Sequence, residues 1–255
     1  MIPRIYLTGQ VSLECGDRLV TEGGLPGRQG RLAFVFLVAN RSRPVGRDEL
    51  VDVIWPAQPP PEAEAALSSI LSKLRAMLKK LGWSVPEASI DVGSGSIGIR
   101  LPPQTWVDVE DAASAIDEAE GALRAGDSAR AWGFANVVIS IAGRPFIQDQ
   151  EAAWIHAIRM KLRGLLTRGL ECLAAVSQLT GEPSLAIQYT TDVLKLEPFR
   201  EIAYQQLMRL HAGIGNNAEA LRVFEQCRTL LREELGASPS PQTEAVFLTI
   251  LRASQ

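Results

Sequence analysis

Gly181 and Gly215 stand 34 residues apart, and their surroundings keep that spacing: Leu173 corresponds to Leu207 and Ala186 to Ala220. A fixed period of this length means a stacked helix-pair unit rather than one continuous fold. The glycine closes the first helix of each pair, because a left-handed residue there costs glycine least. The small alanine lets the second helix lie close against the first. Pro198 falls where a new unit must begin. From Leu196 to Leu251 the chain reads as a helix pair broken at Gly215-Asn216-Asn217, ending at Gly236, then Ser238-Pro239-Ser240-Pro241 ahead of a last apolar run. A weaker copy is expected from about Asp111, with its turn at Ala125-Gly126-Asp127 and Ala131 five residues past its glycine. The step from Gly126 to Gly181 is 55 residues. The excess falls around Ile141–Phe146 and ahead of a long helix expected from about Gln150 to Leu179.

Each such unit leaves an apolar face bare until the next stacks on it, and the concave side offers a groove to a partner helix or peptide. The period of 34 is that of the tetratricopeptide repeat. The stretch Leu196–Leu251 closely resembles the bacterial transcriptional activator domain. In regulators of the SARP type that module follows a winged-helix DNA-binding domain, so the first hundred residues supply an independent test.

Those residues pass it in order of elements. Residues 3–13 read as two short strands. Arg28–Asn40, centred on the apolar Phe34–Val38, suits a first helix. Val45–Trp55 comes next, with Leu50, Val53 and Ile54 at helical spacing and Pro56 as its stop. The third helix, Pro61–Leu81, has proline and glutamates at its start, Lys79 and Lys80 in its last turn, and Gly82 beyond. Ala63, Ala66, Leu67, Ile70, Leu71, Leu74, Leu78 and Leu81 form one apolar stripe. The opposite side collects Ser68, Ser69, Ser72, Lys73, Arg75, Ala76, Lys79 and Lys80. No acid occurs from Ala65 to Leu81. A helix that shows only cations, hydroxyls and a methyl suits a major groove: cations neutralise phosphates and arginine can read guanine with two hydrogen bonds. A solvated amphipathic helix would show a similar face. The neighbouring segment favours the groove. Ser89–Val92 and Ile97–Leu101 are strand-like around Gly93-Ser94-Gly95-Ser96, a hairpin where a wing belongs.

Strand, three helices and hairpin resemble the response-regulator type of winged helix that opens SARP regulators. Arg28-Gln29 with Arg31-Leu32, Asp48-Glu49-Leu50, Ile54-Trp55-Pro56 and Leu71-Ser72-Lys73-Leu74-Arg75 resemble that family's pattern. The fold expected is mainly α with a small β component: a winged helix over residues 1–103 and a helical activator domain over 104–255. The resemblance implies double-stranded promoter DNA as ligand, binding as a dimer or in tandem, and recruitment of RNA polymerase through the helical domain. The expected contacts are Ser68, Ser69, Ser72, Lys73, Arg75 and Lys79 in the major groove and Arg100 from the wing. Arg41, Arg43 and Arg47 would add backbone contacts or face the polymerase. The family's reading helix is usually more basic, with His or Arg where this chain has Ser68, Ile70 and Ala76, and its wing commonly carries Gly-Tyr-Arg where this chain has Gly98-Ile99-Arg100. Fewer cations imply a flatter salt dependence. The competing reading is a protein-interaction scaffold in which the winged helix is a remnant and the repeat groove binds a partner. A small molecule in that groove is a third.

Composition narrows the rest. The longest apolar run, Leu32–Ala39, has eight residues, against the ~20 a membrane span requires. Met1–Tyr6 lacks an apolar leader segment, so a cytoplasmic protein is expected. Cys15, Cys172 and Cys227 are too scattered for zinc or a disulfide framework and are expected as reduced thiols. The net charge of −3 is uneven: residues 1–105 carry 12 Lys and Arg against 10 Asp and Glu, and residues 106–255 carry 14 against 19. A mildly basic first half and an acidic second agree with a nucleic-acid module followed by a protein-binding one. Gly93–Gly98 fits GxGxxG, but Pro102-Pro103 stand where a dinucleotide site needs a helix. His156 and His211 fall within helices, and no nucleophile sits beside a base. Neither enzyme activity, metal nor cofactor is expected. Trp154 and Trp106 read as packing residues, Trp106 at the junction of the two halves.

Overall fold

The computed structural model describes residues 2–82, 89–93 and 95–253. The chain divides into two compact units, each built from two stretches. The first is Met1–Asp111 with Arg144–Lys161; the second is Ala112–Gly143 with Leu162–Gln255.

In the first unit, three strands rather than two open the chain: β1 (Arg4–Tyr6), β2 (Ser12–Cys15) and β3 (Arg18–Val20). The reading of 3–13 as two strands missed β3 because Arg18-Leu19-Val20 is too short to show alternation. Gly16, at φ +61°, makes the turn between β2 and β3. Helix α1 (Gly27–Ala39) buries Leu32 through Val38 without interruption. The short β4 (Val45–Gly46) leads into α2 (Arg47–Ile54), which buries Leu50, Val53 and Ile54. Helix α3 spans Ala63–Lys80 with Glu62 as its N-cap, so Pro61 lies just ahead of it. Gly82, at φ +81°, ends it. The wing is β5 (Ser89–Val92) and β6 (Ser96–Arg100), paired antiparallel from Ser89↔Arg100 to Val92↔Ile97. Ser94, part of the expected wing turn, lies outside the described residues. The glycine run Gly93–Gly98 therefore leads into a strand, as a wing does and a dinucleotide loop does not.

Two sheets frame these helices. One has the order β4-β6-β5; the other is β3-β2-β1-β7, where β7 (Trp106–Val107) lies parallel to β1. Trp106 packs edge-on against Tyr6, ring centroids 5.2 Å apart. Asp108 is wholly buried. Its carboxylate accepts from the backbone N–H groups of Leu7 and Thr8, both at 2.9 Å, from the Thr8 hydroxyl at 2.7 Å and from the Val109 N–H at 2.8 Å. That full set of donors is what permits a buried charge. Residues 144–161 return to this unit. Trp154 sits edge-on between Phe36 and Phe146, at 5.2 and 6.3 Å. Arg31 pairs with Glu22 and Asp149, and the Gly9 N–H donates to the Pro145 carbonyl.

The second unit is helical. α4 (Asp108–Arg124) and α5 (Ser128–Ala142) form the weaker copy expected near Asp111. α6 (Ala153–Leu179) and α7 (Pro183–Leu196) form the next pair, then α8 (Glu201–Gly213) and α9 (Asn217–Leu235), with α10 (Pro241–Ala253) last. Gly126, Gly181 and Gly215, which close the first helix of each pair, lie at φ +79°, +80° and +79°. A side chain at any of them would be strained. Ala131, Ala186 and Ala220, each five residues on, are all fully buried, as close approach of the paired helices requires. Gly169 does the same for α6 on α5: an added Cβ would stand 3.1 Å from Val138 and Ile139. Met208, Ala220 and Cys227 centre the core of the last pair, to which Val246 and Ile250 of α10 add. Cys172 and Cys227 are buried free thiols, and Cys15 is half-exposed. Burial pushes the Cys172 thiol up and holds that of Cys227 at about 11. Among the described residues no helix is long and apolar enough to cross a membrane.

Candidate nucleic-acid interface

Helix α3 is two-faced. Leu67, Leu71 and Leu74 are fully buried, with Ile70, Met77, Leu78 and Leu81 close behind. Met77 widens the expected stripe. Truncating a leucine so placed costs about 2–5 kcal/mol, so this face fixes the helix. Ser68, Ser69, Ser72, Lys73, Arg75, Ala76, Lys79 and Lys80 are all exposed on the other face. Lys73, Lys79 and Lys80 make ion pairs with none of the described residues.

The two arginines of the expected site are differently placed. Arg75 donates twice to the Ile90 carbonyl, from Nε at 3.0 Å and Nη2 at 2.8 Å. It thereby fastens α3 to the first strand of the wing, with part of the guanidinium already engaged. Arg100 pairs with Asp91 across the wing at 2.8 Å, and both side chains are more than half exposed. Such a pair is worth little and yields readily to another anion. The structure thus brings six of the seven expected residues onto one helix face, with Arg100 on the hairpin that this face's arginine anchors.

Comparison with known proteins places the chain. The family model of the bacterial transcriptional activator domain matches residues 107–251, more than half of the sequence. The chain belongs to that family. Its resemblance to SARP-type regulators holds with it. Regulatory protein AfsR of Streptomyces griseus is 28% identical over 252 residues, which is 99% of this chain and 25% of AfsR. Transcriptional regulatory protein EmbR of Mycobacterium tuberculosis is 25% identical over 263 residues, covering 93% of this chain and 62% of EmbR. The chain therefore spans a quarter of one relative and under two thirds of the other. A solved structure of Mycobacterium tuberculosis EmbR in complex with a low affinity phosphopeptide superposes with a TM-score of 0.85 at 23% identity, over 98% of this chain and 65% of that one. It shows the same fold: mainly helical, a winged helix followed by tetratricopeptide-like repeats.

In this family member the arginines around the start of α2 are already paired. Arg41 forks onto Glu110. Arg43 forks onto Glu49 at 3.0 and 2.6 Å. Arg47 pairs with Glu64 at 2.5 Å. Hydrogen bonds from Arg43 hold the Glu49 carboxyl below its usual range against the opposing effect of burial, with the Gly46 N–H helping. These pairs brace the entry to α2 and neutralise the positive charge expected there. One cation was missed from sequence. Arg18 on β3 donates to the Lys80 carbonyl at 3.0 Å, bringing a third positive charge to the end of α3. A separation of 62 residues leaves no local signal of that contact. No group of His, Cys, Asp and Glu among the described residues could hold a metal ion.

Proposed function

We propose that the chain is a DNA-binding transcriptional regulator, an activator acting in the cytoplasm on promoter DNA. The observation that carries the reading is the exposed face of α3: three unpaired lysines, three serines and no acid from Ala65 to Leu81, on a winged helix within a family named for transcriptional activation. Lys73 and Lys79 take phosphates, and Ser68, Ser69 and Ser72 approach base edges or sugars. Arg75 acts first as the residue that sets the wing against the reading helix, its remaining N–H groups facing the groove. Arg100 exchanges Asp91 for a phosphate. The winged helix corresponds to residues 1–103 and the activator domain to 104–255; the latter supports self-association into a dimer and contact with RNA polymerase. AfsR and EmbR, named as regulatory proteins, support the reading. The test is fluorescence anisotropy with the duplex upstream of the protein's own gene and a scrambled duplex, across a salt series. Tighter binding to the upstream duplex with a negative salt slope is expected. Equal absence of binding to both at low salt removes DNA from the function.

A further inference from the structure

The first unit contains a cleft of about 710 Å³ that the DNA reading does not use. α1 contributes Phe36 and Asn40, α2 and its flanks Arg43, Glu49, Asp52, Val53 and Pro56, and the start of α6 the face from Ala152 to Lys161. The volume falls within the ~300–1,000 Å³ of small-molecule sites. Its apolar lining is Phe36, Val53, Pro56, Trp154 and Ile158, with the Trp154 ring held edge-on by Phe36 and Phe146.

Most of the polar lining is already satisfied. The Asn40 amide donates to the Phe36 carbonyl at 2.9 Å. Arg43 and Glu49 satisfy each other through two hydrogen bonds, and the shift of each away from its ordinary pKa reflects that closed pair. Two charges are left, Asp52 from α2 and Lys161 from α6. Neither makes an ion pair or side-chain hydrogen bond with any described residue. Opposite charges lining one aromatic cleft, each without a partner, define complementary chemistry. Asp52 would take a cationic group, Lys161 an anionic one, and the lining around Trp154 an apolar body.

We infer that this cleft binds a small zwitterionic molecule with an aromatic or apolar body, of about dipeptide size. The inference is independent of the DNA reading, because the cleft shares no residue with the exposed face of α3. Its walls are nonetheless α1 and α2, the helices of the winged-helix core, so an occupant would stabilise that core directly.

The experiment is isothermal titration calorimetry on the full chain with three probes: phenylalanyl-leucine, its N-acetyl form and its C-terminal amide. Saturable binding of the free dipeptide, at least tenfold tighter than either capped form, is expected. Asp52→Asn should erase the preference for the free amine and leave the preference for the free carboxylate. Lys161→Gln should do the reverse. Ala157→Trp, at an exposed lining position, should abolish binding while circular dichroism and melting show an intact fold. No saturable binding of any probe at millimolar concentration overturns the proposal. So does equal binding of all three, or binding that survives Ala157→Trp.

Discussion

The lysines of α3 and the arginines of α6 carry the same charge and put it to opposite uses. On α3, Lys73, Lys79 and Lys80 stand in solvent with no described partner. In the second unit the arginines of α6 are tied down. Arg168 forks onto Glu120 at 2.7 and 2.9 Å and reaches Asp117 at 3.0 Å, while Arg163 pairs with Glu197 at 3.0 Å. Arg200, between α7 and α8, forks onto Glu171 of α6 at 2.6 and 3.0 Å. These pairs join α6 to α4 on one side and to the α7–α8 junction on the other. The difference teaches that a positive residue is informative about a ligand only after its internal partners are known. A sequence count gives the two helices similar numbers of cations; among the described residues the structure leaves three lysines of α3 open to an anion and, on α6, Lys161.

The sharpest way to break this contrast is Lys73→Ala with Lys79→Ala. DNA affinity in about 0.15 M salt should fall about tenfold or more, and the salt slope should flatten by about 2. The melting temperature should scarcely move, because surface changes of this kind lie within about 0.5 kcal/mol. Unchanged anisotropy titrations would make α3 one more solvated surface. Next in size is Arg75. Arg75→Lys keeps the charge and loses the paired hydrogen bonds to the Ile90 carbonyl, so β5 amides should exchange faster and DNA affinity should fall several-fold; wild-type behaviour in both measurements would detach the wing from α3. Arg168→Ala is the reciprocal probe. It should cost no more than about 1 kcal/mol of stability in urea unfolding, because the side chain is partly solvated, and leave the anisotropy curve unchanged. A loss of DNA binding there would erase the distinction between the two regions.

The smallest effect concerns acid. Burial opposes ionisation of Glu201, but the Thr243 hydroxyl and the Ser240 hydroxyl and amide outweigh it, and the carboxyl titrates below its usual range. A depressed carboxyl stabilises the fold above its unfolded pKa, and that contribution fades as pH falls through the folded value. Urea midpoints should therefore decline from about pH 5 downward, and decline less in Glu201→Gln. Parallel declines in the two proteins would show that these bonds do not hold α10 in place.

Legibility in the sequence followed the range of the interactions. The repeat was readable because Gly126, Gly181 and Gly215 and the buried alanines five residues beyond them are local requirements of one turn and one close helix contact. The two faces of α3 were readable from periodicity alone. The partners of Arg75 and Arg100 were not, because Ile90 and Asp91 meet them through a hairpin whose register no short pattern specifies. β3 was too short to show alternation. The return of residues 144–161 onto the first unit was also hidden. It depends on Trp154 meeting Phe36 across more than a hundred positions, and in sequence it appeared only as an excess over the repeat length. Arg18 and the cleft beside Trp154 belong to the same class of long-range arrangement.

Asp108 limits how far this chain can be shortened. Three of the four donors to its buried carboxylate belong to Leu7 and Thr8, a hundred positions away. Residues a hundred positions apart are thus clasped by one carboxylate that has no access to water. Trimming the first eight residues would do more than delete β1, an inner strand of its sheet. It would leave the Asp108 carboxylate with one of its four donors, so the trimmed protein would open around it.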